Sequence, residues 1–212
     1  MRNSVKVAQL DLRTLQIKFP WWALLLATDA VILVLAMLNF DVFAIIVGIV
    51  FGAGSSVVMV PFYSNQQRGV DGLLAALPVT RRQVVLGHYL FAVGVQCVIA
   101  LNLFVVAAIY SFMRPEDLPL SVAAMVALGA LTFFLVLVAV PFPFLMRVGY
   151  SSATIGIYTG VIVLVVIGLN FLSALGDNFS PSFTFGWVVA GAVALLVGSV
   201  PLSLHWYSKR EL

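Results

Sequence analysis

The sequence is poor in charged side chains. Only 9% of its 212 residues are Asp, Glu, Lys or Arg, whereas 63% are apolar. A soluble domain contains about 25% charged and about 45 to 50% apolar residues. The composition excludes a water-soluble protein and indicates an integral membrane protein.

Groups that build metal, redox and nucleotide sites are also scarce. Cys97 is the only cysteine, so no intrachain disulfide can form, and its apolar surroundings predict a packing residue. The two histidines, His88 and His205, have no second ligand at metal-binding spacing. The chain has no G-x-x-x-x-G-K-(S/T) sequence, so we expect it to bind neither ATP nor Mg²⁺ itself. Its basic residues form no continuous patch, and we expect no nucleic-acid partner.

What the sequence does contain is six apolar runs, each long enough to cross a bilayer as a helix. They cover Pro20 to Phe40, Val42 to Tyr63, Leu86 to Phe112, Leu120 to Phe144, Ala153 to Leu175 and Phe185 to His205. The predicted fold is an all-α membrane protein with six spans, occupying residues 20–212. Pro141 and Pro143 should bend the end of the fourth span.

The connections between these runs give the orientation. If the N-terminus lies in the cytoplasm, ten of the eleven Lys and Arg residues lie there too, and only Arg114 lies outside. Basic residues near span ends are retained on the cytoplasmic side. We therefore predict that both termini are cytoplasmic.

Residues 1–19 precede the first span. An apolar stripe at helical spacing consists of Val5, Ala8, Leu12, Leu15 and Phe19. This pattern predicts an amphipathic helix on the inner membrane surface, in contact with lipid. The alternative is a helical start that simply continues into the first span.

The connection between spans two and three is the longest polar stretch between spans. Val70, Leu73, Leu74 and Leu77 form one apolar face of a short helix, and Pro78 ends it. Thr80 and Gln83 have the spacing of a capping box that starts a new helix near Arg81. The pattern predicts either a helix that binds a partner protein or a loop helix that covers the bundle.

The stretch LPVTRRQVVLGHYL, from Leu77 to Leu90, resembles a segment of the permease subunits of bacterial ABC transporters of the type-2 export family. The six spans, the chain length and the amphipathic N-terminus are also similar to that family. His88 stands where the family commonly has Lys. The resemblance implies a subunit of the bacterial cytoplasmic membrane that pairs with a second permease subunit, identical or related, and with a separate ATPase that binds ATP and Mg²⁺.

The resemblance also implies which residues meet the ATPase. The segment 64–86 would hold a short cytoplasmic coupling helix, which seats in a groove of the ATPase, and a second contact would lie after the fourth span. The predicted contact residues are Arg68, Asp71, Leu73, Leu74, Leu77, Pro78, Arg81, Arg82 and Arg147. The low charge of the predicted spans favours a hydrophobic or amphipathic cargo, such as a peptide, lipid or drug.

Few polar groups lie within the spans. Asp29 lies near the middle of the first, where a carboxylate costs about 2.5 to 3.5 kcal/mol. It either lines a translocation path or accepts an interhelical bond, with Gln96, Asn102 and Asn170 as candidate partners. The G-x-x-x-G pair Gly156 and Gly160 would serve packing within the chain or contact between subunits.

Three other classes compete with the permease. A proton-linked carrier would use Asp29. For a membrane partner protein that does not itself transport, no feature of the sequence gives specific support. A CDP-alcohol phosphatidyltransferase is suggested by RGVDGLLAA, but Arg68 and Ala76 replace an Asp and the Arg of that motif. Without its carboxylates such a site cannot hold divalent metal ions.

Overall fold

The computed structural model describes residues 2–15, 27, 29–31, 34, 55–68, 79–114, 116, 118–174 and 181–209. Most of these residues are helical. The helices are α1 (Arg2–Leu15), α2 (Ser55–Arg68), α3 (Arg81–Met113), α4 (Leu120–Ala139), α5 (Pro141–Val148), α6 (Ser152–Ala174) and α7 (Pro181–Ser208). Residues 27, 29–31 and 34 are also helical.

Within this part of the chain, three helical stretches are long and apolar enough to cross a membrane: Arg81–Met113, Leu120–Val148 and Gly186–Ser208. They match the third, fourth and sixth predicted spans. The all-helical fold of a multi-pass membrane protein is thus confirmed. The predicted first span and the first half of the second lie mostly outside the described residues, so the number six stays a prediction.

α3 is the longest helix, with 33 residues. At about 1.5 Å per residue it extends about 50 Å, well beyond the roughly 30 Å of a hydrocarbon core. Its first turn therefore precedes the apolar run, which begins only at Leu86. α2 likewise runs on to Arg68, beyond the predicted span end at Tyr63. Apolarity marks the part of a helix inside lipid, whereas the helix itself ends only where its hydrogen bonding stops.

Proline and glycine divide the chain after α4. The helix ends at Ala139 and α5 begins at Pro141, as the prolines predicted. α5 ends at Val148, and the next residue, Gly149, has a φ of 78° that is readily available only to glycine. Ser151 and Thr154 then start α6 by reciprocal bonds: each backbone amide donates to the other's hydroxyl, at 2.8 and 3.3 Å.

Two clusters of buried apolar side chains hold the helices together. The first joins α3, α4 and α6 and contains Leu103, Phe133, Phe134, Leu137 and Tyr158. The second joins α2, α3, α4, α5 and α7 and includes Phe62, Val85, Tyr89, Phe142 and Leu145. We call the end of the bundle that holds the second cluster, together with α1, the base.

Large apolar side chains on the outside of the bundle fit a lipid environment. Leu101, Leu164 and Trp187 are each at least 63% exposed. Cys97, which was predicted to be a packing residue, is exposed on the described part of the chain. It lies on the outward side of α3 with Val98 and Leu101, which an apolar sequence context alone cannot distinguish from the inner side.

Candidate functional site

A buried contact between an Asp and a His joins α1 to α3 at the base. His88 Nδ1 lies 2.5 Å from Asp11 Oδ2, and the two side chains are 5% and 0% exposed. An N–H at Nδ1 would donate to the carboxylate oxygen, which accepts. The Phe62 ring of α2 lies against the imidazole, with centroids 5.2 Å apart. Three helices therefore meet at this one pair.

The face of α1 that docks here is not its apolar stripe. Ser4, Val7 and Asp11, spaced three and four residues apart, are the buried positions, whereas Val5 and Leu12 are 43% and 38% exposed. The docked side of α1 is therefore distinct both from the apolar stripe and from the exposed basic side of the helix. The placement of this helix at the membrane surface stays a prediction.

Glycine makes this docking close. A Cβ at Gly87 would lie 2.6 Å from Val7 Cβ and 2.9 Å from the Ser4 carbonyl oxygen. Carbon atoms in contact normally stay about 3.5 to 4.0 Å apart. Only glycine at this position lets α1 approach α3 so closely.

The start of α3 is fixed by the predicted capping box. The Gln83 backbone N–H donates to the Thr80 hydroxyl at 3.3 Å, and the Thr80 N–H donates to Gln83 Oε1 at 3.0 Å. Both bonds satisfy amides that a helix start leaves free. The helix therefore begins sharply at Arg81.

A polar contact between α3 and α7 lies at Tyr89, one residue after His88. The Tyr89 hydroxyl donates to Ser199 Oγ at 3.0 Å and lies 2.8 Å from Ser203 Oγ. Its ring packs edge-on against Phe142 of α5, at 4.9 Å between centroids. Tyr89 thus links the start of α3 to both α5 and α7.

Two of the predicted contact residues meet at the end of α7. Arg81 Nη1 donates to the Ser208 carbonyl at 2.5 Å, and the guanidinium of Arg147 lies 5.4 Å from the centre of the Trp206 ring. A cation near the last carbonyls of a helix is stabilised by their partial negative charge. The structure brings these arginines to one helix end, although 66 sequence positions separate them.

Most of the remaining predicted contact residues lie outside the described residues. These are Asp71, Leu73, Leu74, Leu77 and Pro78; the side chain of Arg68 is also outside, although its backbone ends α2. Arg82 is exposed in the first turn of α3. Basic side chains exposed at the base are Lys6, Arg13, Arg81, Arg82, Arg147 and Lys209.

The acid inside the first predicted span has one of its expected partners. Asn102 Nδ2 of α3 donates to Asp29 Oδ1 at 2.9 Å, and the pair is partly buried. Gln96, six residues earlier on α3, is fully buried. Asn170 lies in α6, with its side chain outside the described set. The structure thus pairs two of the four candidate polar groups.

The glycines of α6 face outward. Gly156 and Gly160 are exposed, and a Cβ at either would meet no atom within 4 Å. Packing within the described part of the chain therefore does not use this pair. An outward surface of small residues remains on α6.

Sequence reasoning missed Asp11, Gly87 and Tyr89. One signal was available for Asp11, since it is the only acidic residue before Asp29 and lies at helical spacing from Ser4 and Val7. The departure at His88 was visible, but its partner lies 77 residues away. Nothing in the local pattern indicates such a distant contact.

The arrangement defines a multi-pass helical membrane protein whose spans are tied together at one end by polar and aromatic contacts. A family model described as ABC-2 family transporter protein matches residues 11–208. The match begins at Asp11 and covers nearly all of the chain, so the protein belongs to the ABC-2 family of transporter membrane proteins. A search of curated proteins finds no significant match.

Proposed function

We propose that the chain is the permease subunit of an ABC exporter in a bacterial cytoplasmic membrane. Two such subunits, identical or related, would act with two copies of a separate ATPase that binds ATP and Mg²⁺. Family membership supports the permease role. The observation that carries the coupling role is the capped start of α3, which links the segment 64–86 to the buried contacts of the base.

Coupling would pass through both helices that flank this segment. α2 ends at Arg68 and α3 begins at Arg81, and Phe62, Val84 and Val85 of these helices belong to one buried cluster. An amphipathic helix between them, with Leu73, Leu74 and Leu77, would seat in a groove of the ATPase. Arg147 would supply a second contact from α5. Displacement of the segment would then move the base as a unit.

The base would face the cytoplasm. Its exposed basic side chains fit the inner membrane surface, where anionic headgroups attract Lys and Arg. α1 would lie at that surface with Val5 and Leu12 toward the lipid and Lys6 and Arg13 toward headgroups. The side of α1 that docks on α3 carries Ser4, Val7 and Asp11, which supports this placement because it leaves the apolar stripe free for lipid.

A path for cargo would run between two permease subunits. The described spans carry few charges, which favours a hydrophobic or amphipathic cargo. Asp29 and Asn102 would form a polar point beside the path, and Gly156 and Gly160 would let α6 approach the second subunit closely.

A proton-linked carrier is the second candidate, favoured by the same Asp29–Asn102 pair. An ionisable group within a membrane is a functional hypothesis by default. The variant Asp29→Asn distinguishes the two candidates, because its side chain keeps an acceptor oxygen for Asn102 but cannot release a proton. A carrier loses all transport with this variant, whereas an ATP-driven exporter retains ATP-dependent transport.

Copurification with an ATPase tests the proposed function. Wild-type chain carrying an affinity tag should bring down a subunit with a Walker A sequence. Leu74→Asp combined with Arg82→Glu should abolish this recovery without preventing membrane insertion. Arg82 is preferable to Arg81, since Arg81→Glu would also break the bond to the end of α7.

A matched control reverses a charge at the other end of the bundle. Glu116→Lys, in the exposed turn between α3 and α4, should leave copurification unchanged. Undiminished recovery with the double variant would remove the coupling assignment. Recovery of no such ATPase with the wild type would contradict the permease role.

A further inference from the structure

The Asp11–His88 pair has no role in the proposed function as described so far. Its carboxylate is wholly buried, although Asp is almost never fully buried unless it is paired. Neither residue belongs to the predicted contact with the ATPase or to the cargo path. The pair is a buried polar contact between α1 and α3.

Stability alone does not account for the buried Asp11–His88 pair, even if both side chains are charged. Replacing such a pair by well-packed apolar side chains is often neutral or stabilising, because desolvation offsets the attraction between the charges. What such a pair adds is a directional contact, which forms only when the two helices have one particular relative orientation. The 2.5 Å separation requires α1 to keep one register and one rotation on α3.

The contacts around the pair resist relative movement. Gly87 places Val7 and the Ser4 carbonyl against the α3 backbone, one residue before His88. Phe62 of α2 covers the imidazole. The capping box at Thr80 fixes the first turn of α3, two turns before the pair. α1 therefore rests on both helices that flank the segment 69–80.

We infer that the Asp11–His88 pair is a positioning joint that makes α1 move with the start of α3 when the coupling segment is displaced. The inference rests on the proposed function and deepens it, because it names the route from that segment to the membrane surface. With the joint intact, displacement of α3 carries α1 and the lipid-facing side chains Val5 and Leu12. With the joint broken, α3 moves without α1, and ATP hydrolysis is no longer matched by transport.

The first experiment measures the joint in the permease itself. Spin labels are attached at Lys6→Cys and Leu90→Cys, both exposed, in a Cys97→Ser background that leaves no other thiol. In lipid nanodiscs the unmodified joint should give one narrow distance distribution. Asp11→Ala should broaden it, and Asp11→Asn should broaden it less, since the amide oxygen still accepts from His88. An unchanged distribution with Asp11→Ala would overturn the joint.

The second experiment measures coupling with the ATPase bound. Transport of a fluorescent phospholipid analogue and ATP hydrolysis are followed in the same proteoliposomes, and their ratio is compared between variants. Coupling free energies between sites correspond to about 5- to 150-fold effects, and we expect Asp11→Ala to lower the ratio about tenfold. Copurification of the ATPase should not change. Gln9→Ala, on the exposed side of α1, should leave the ratio unchanged.

Gly87→Ala provides a variant that keeps both side chains of the pair. Its methyl group forces α1 away from α3 and should reproduce the broadened distances and the lowered ratio. A broadened distribution with an unchanged ratio would overturn the coupling role of the joint. The wild-type chain could fail to move the lipid probe while the probe still stimulates ATP hydrolysis by the complex. In that case the variants are compared by how strongly the probe stimulates their ATP hydrolysis. If no ATPase binds at all, the proposed function fails and the coupling role fails with it, whereas the label distances still decide whether the joint exists.

Discussion

The close contact between α1 and α3 makes Gly87→Ala a sharp test of the base. The added Cβ would stand 2.6 Å from Val7 Cβ. Because carbon atoms in contact stay about 3.5 to 4.0 Å apart, the helices must separate by roughly 1 Å or the side chains must leave their rotamers. Overpacking of this kind costs about 1 to 3 kcal/mol. The Ser4 carbonyl, 2.9 Å from the same Cβ, is backbone and cannot yield unless α1 shifts.

Gly94→Ala is the matched control on the same helix. A Cβ there meets nothing within 4 Å, so only the intrinsic preference of a helix for alanine, about 1 kcal/mol, applies. That gain applies equally to both variants. We therefore expect Gly87→Ala to be about 1 to 3 kcal/mol less stable than Gly94→Ala.

Thermal denaturation of the purified variants in detergent measures this difference. Protease protection of α1 gives a second readout, because a displaced helix becomes accessible before the bundle unfolds. Equal stability and equal protection of the two variants would refute the packing of α1 on α3.

Three further predictions concern contacts between the spans. Tyr89→Phe removes the hydroxyl that bonds two serines of α7 and should cost about 1 kcal/mol in detergent denaturation, with no loss contradicting the contact. Asn102→Ala should cost a similar amount, about 1 kcal/mol, whereas Asp29→Asn should cost less because an acceptor oxygen remains; equal costs would argue against the bond. Trp206→Leu should lower the free energy of unfolding by about 0.5 to 1 kcal/mol, and adding Arg147→Ala to that variant should lower it little further. Fully additive losses would contradict the contact between the guanidinium and the ring.

The features predicted from the sequence are those set by short-range chemistry. Thr80 and Gln83 form a capping box because both bonds close within three residues. Pro141 separates α4 from α5 because proline lacks the N–H that a continuous helix needs. Asp29 had several candidate partners, and only the packing of the spans selected Asn102.

Features that depend on which helix faces meet could not be predicted. The apolar stripe of α1 was visible, but the docked face is the one with Ser4, Val7 and Asp11. In a membrane protein, apolar side chains are as stable against lipid as against protein, so apolarity does not identify the buried face. For the same reason the apolar sequence around Cys97 could not show which side of α3 it lies on, and the structure has it exposed.

The central claim is that the segment between α2 and α3 contacts a separate ATPase. A photoreactive amino acid at Leu74, in chain expressed in native membranes, tests it most directly. We predict a cross-link to a subunit with a Walker A sequence, with a yield that changes when ATP is replaced by ADP. The same group at Glu116 should give no such cross-link. Cross-linking at Leu74 only to lipid or to the chain itself, while the chain remains correctly inserted, would contradict the account.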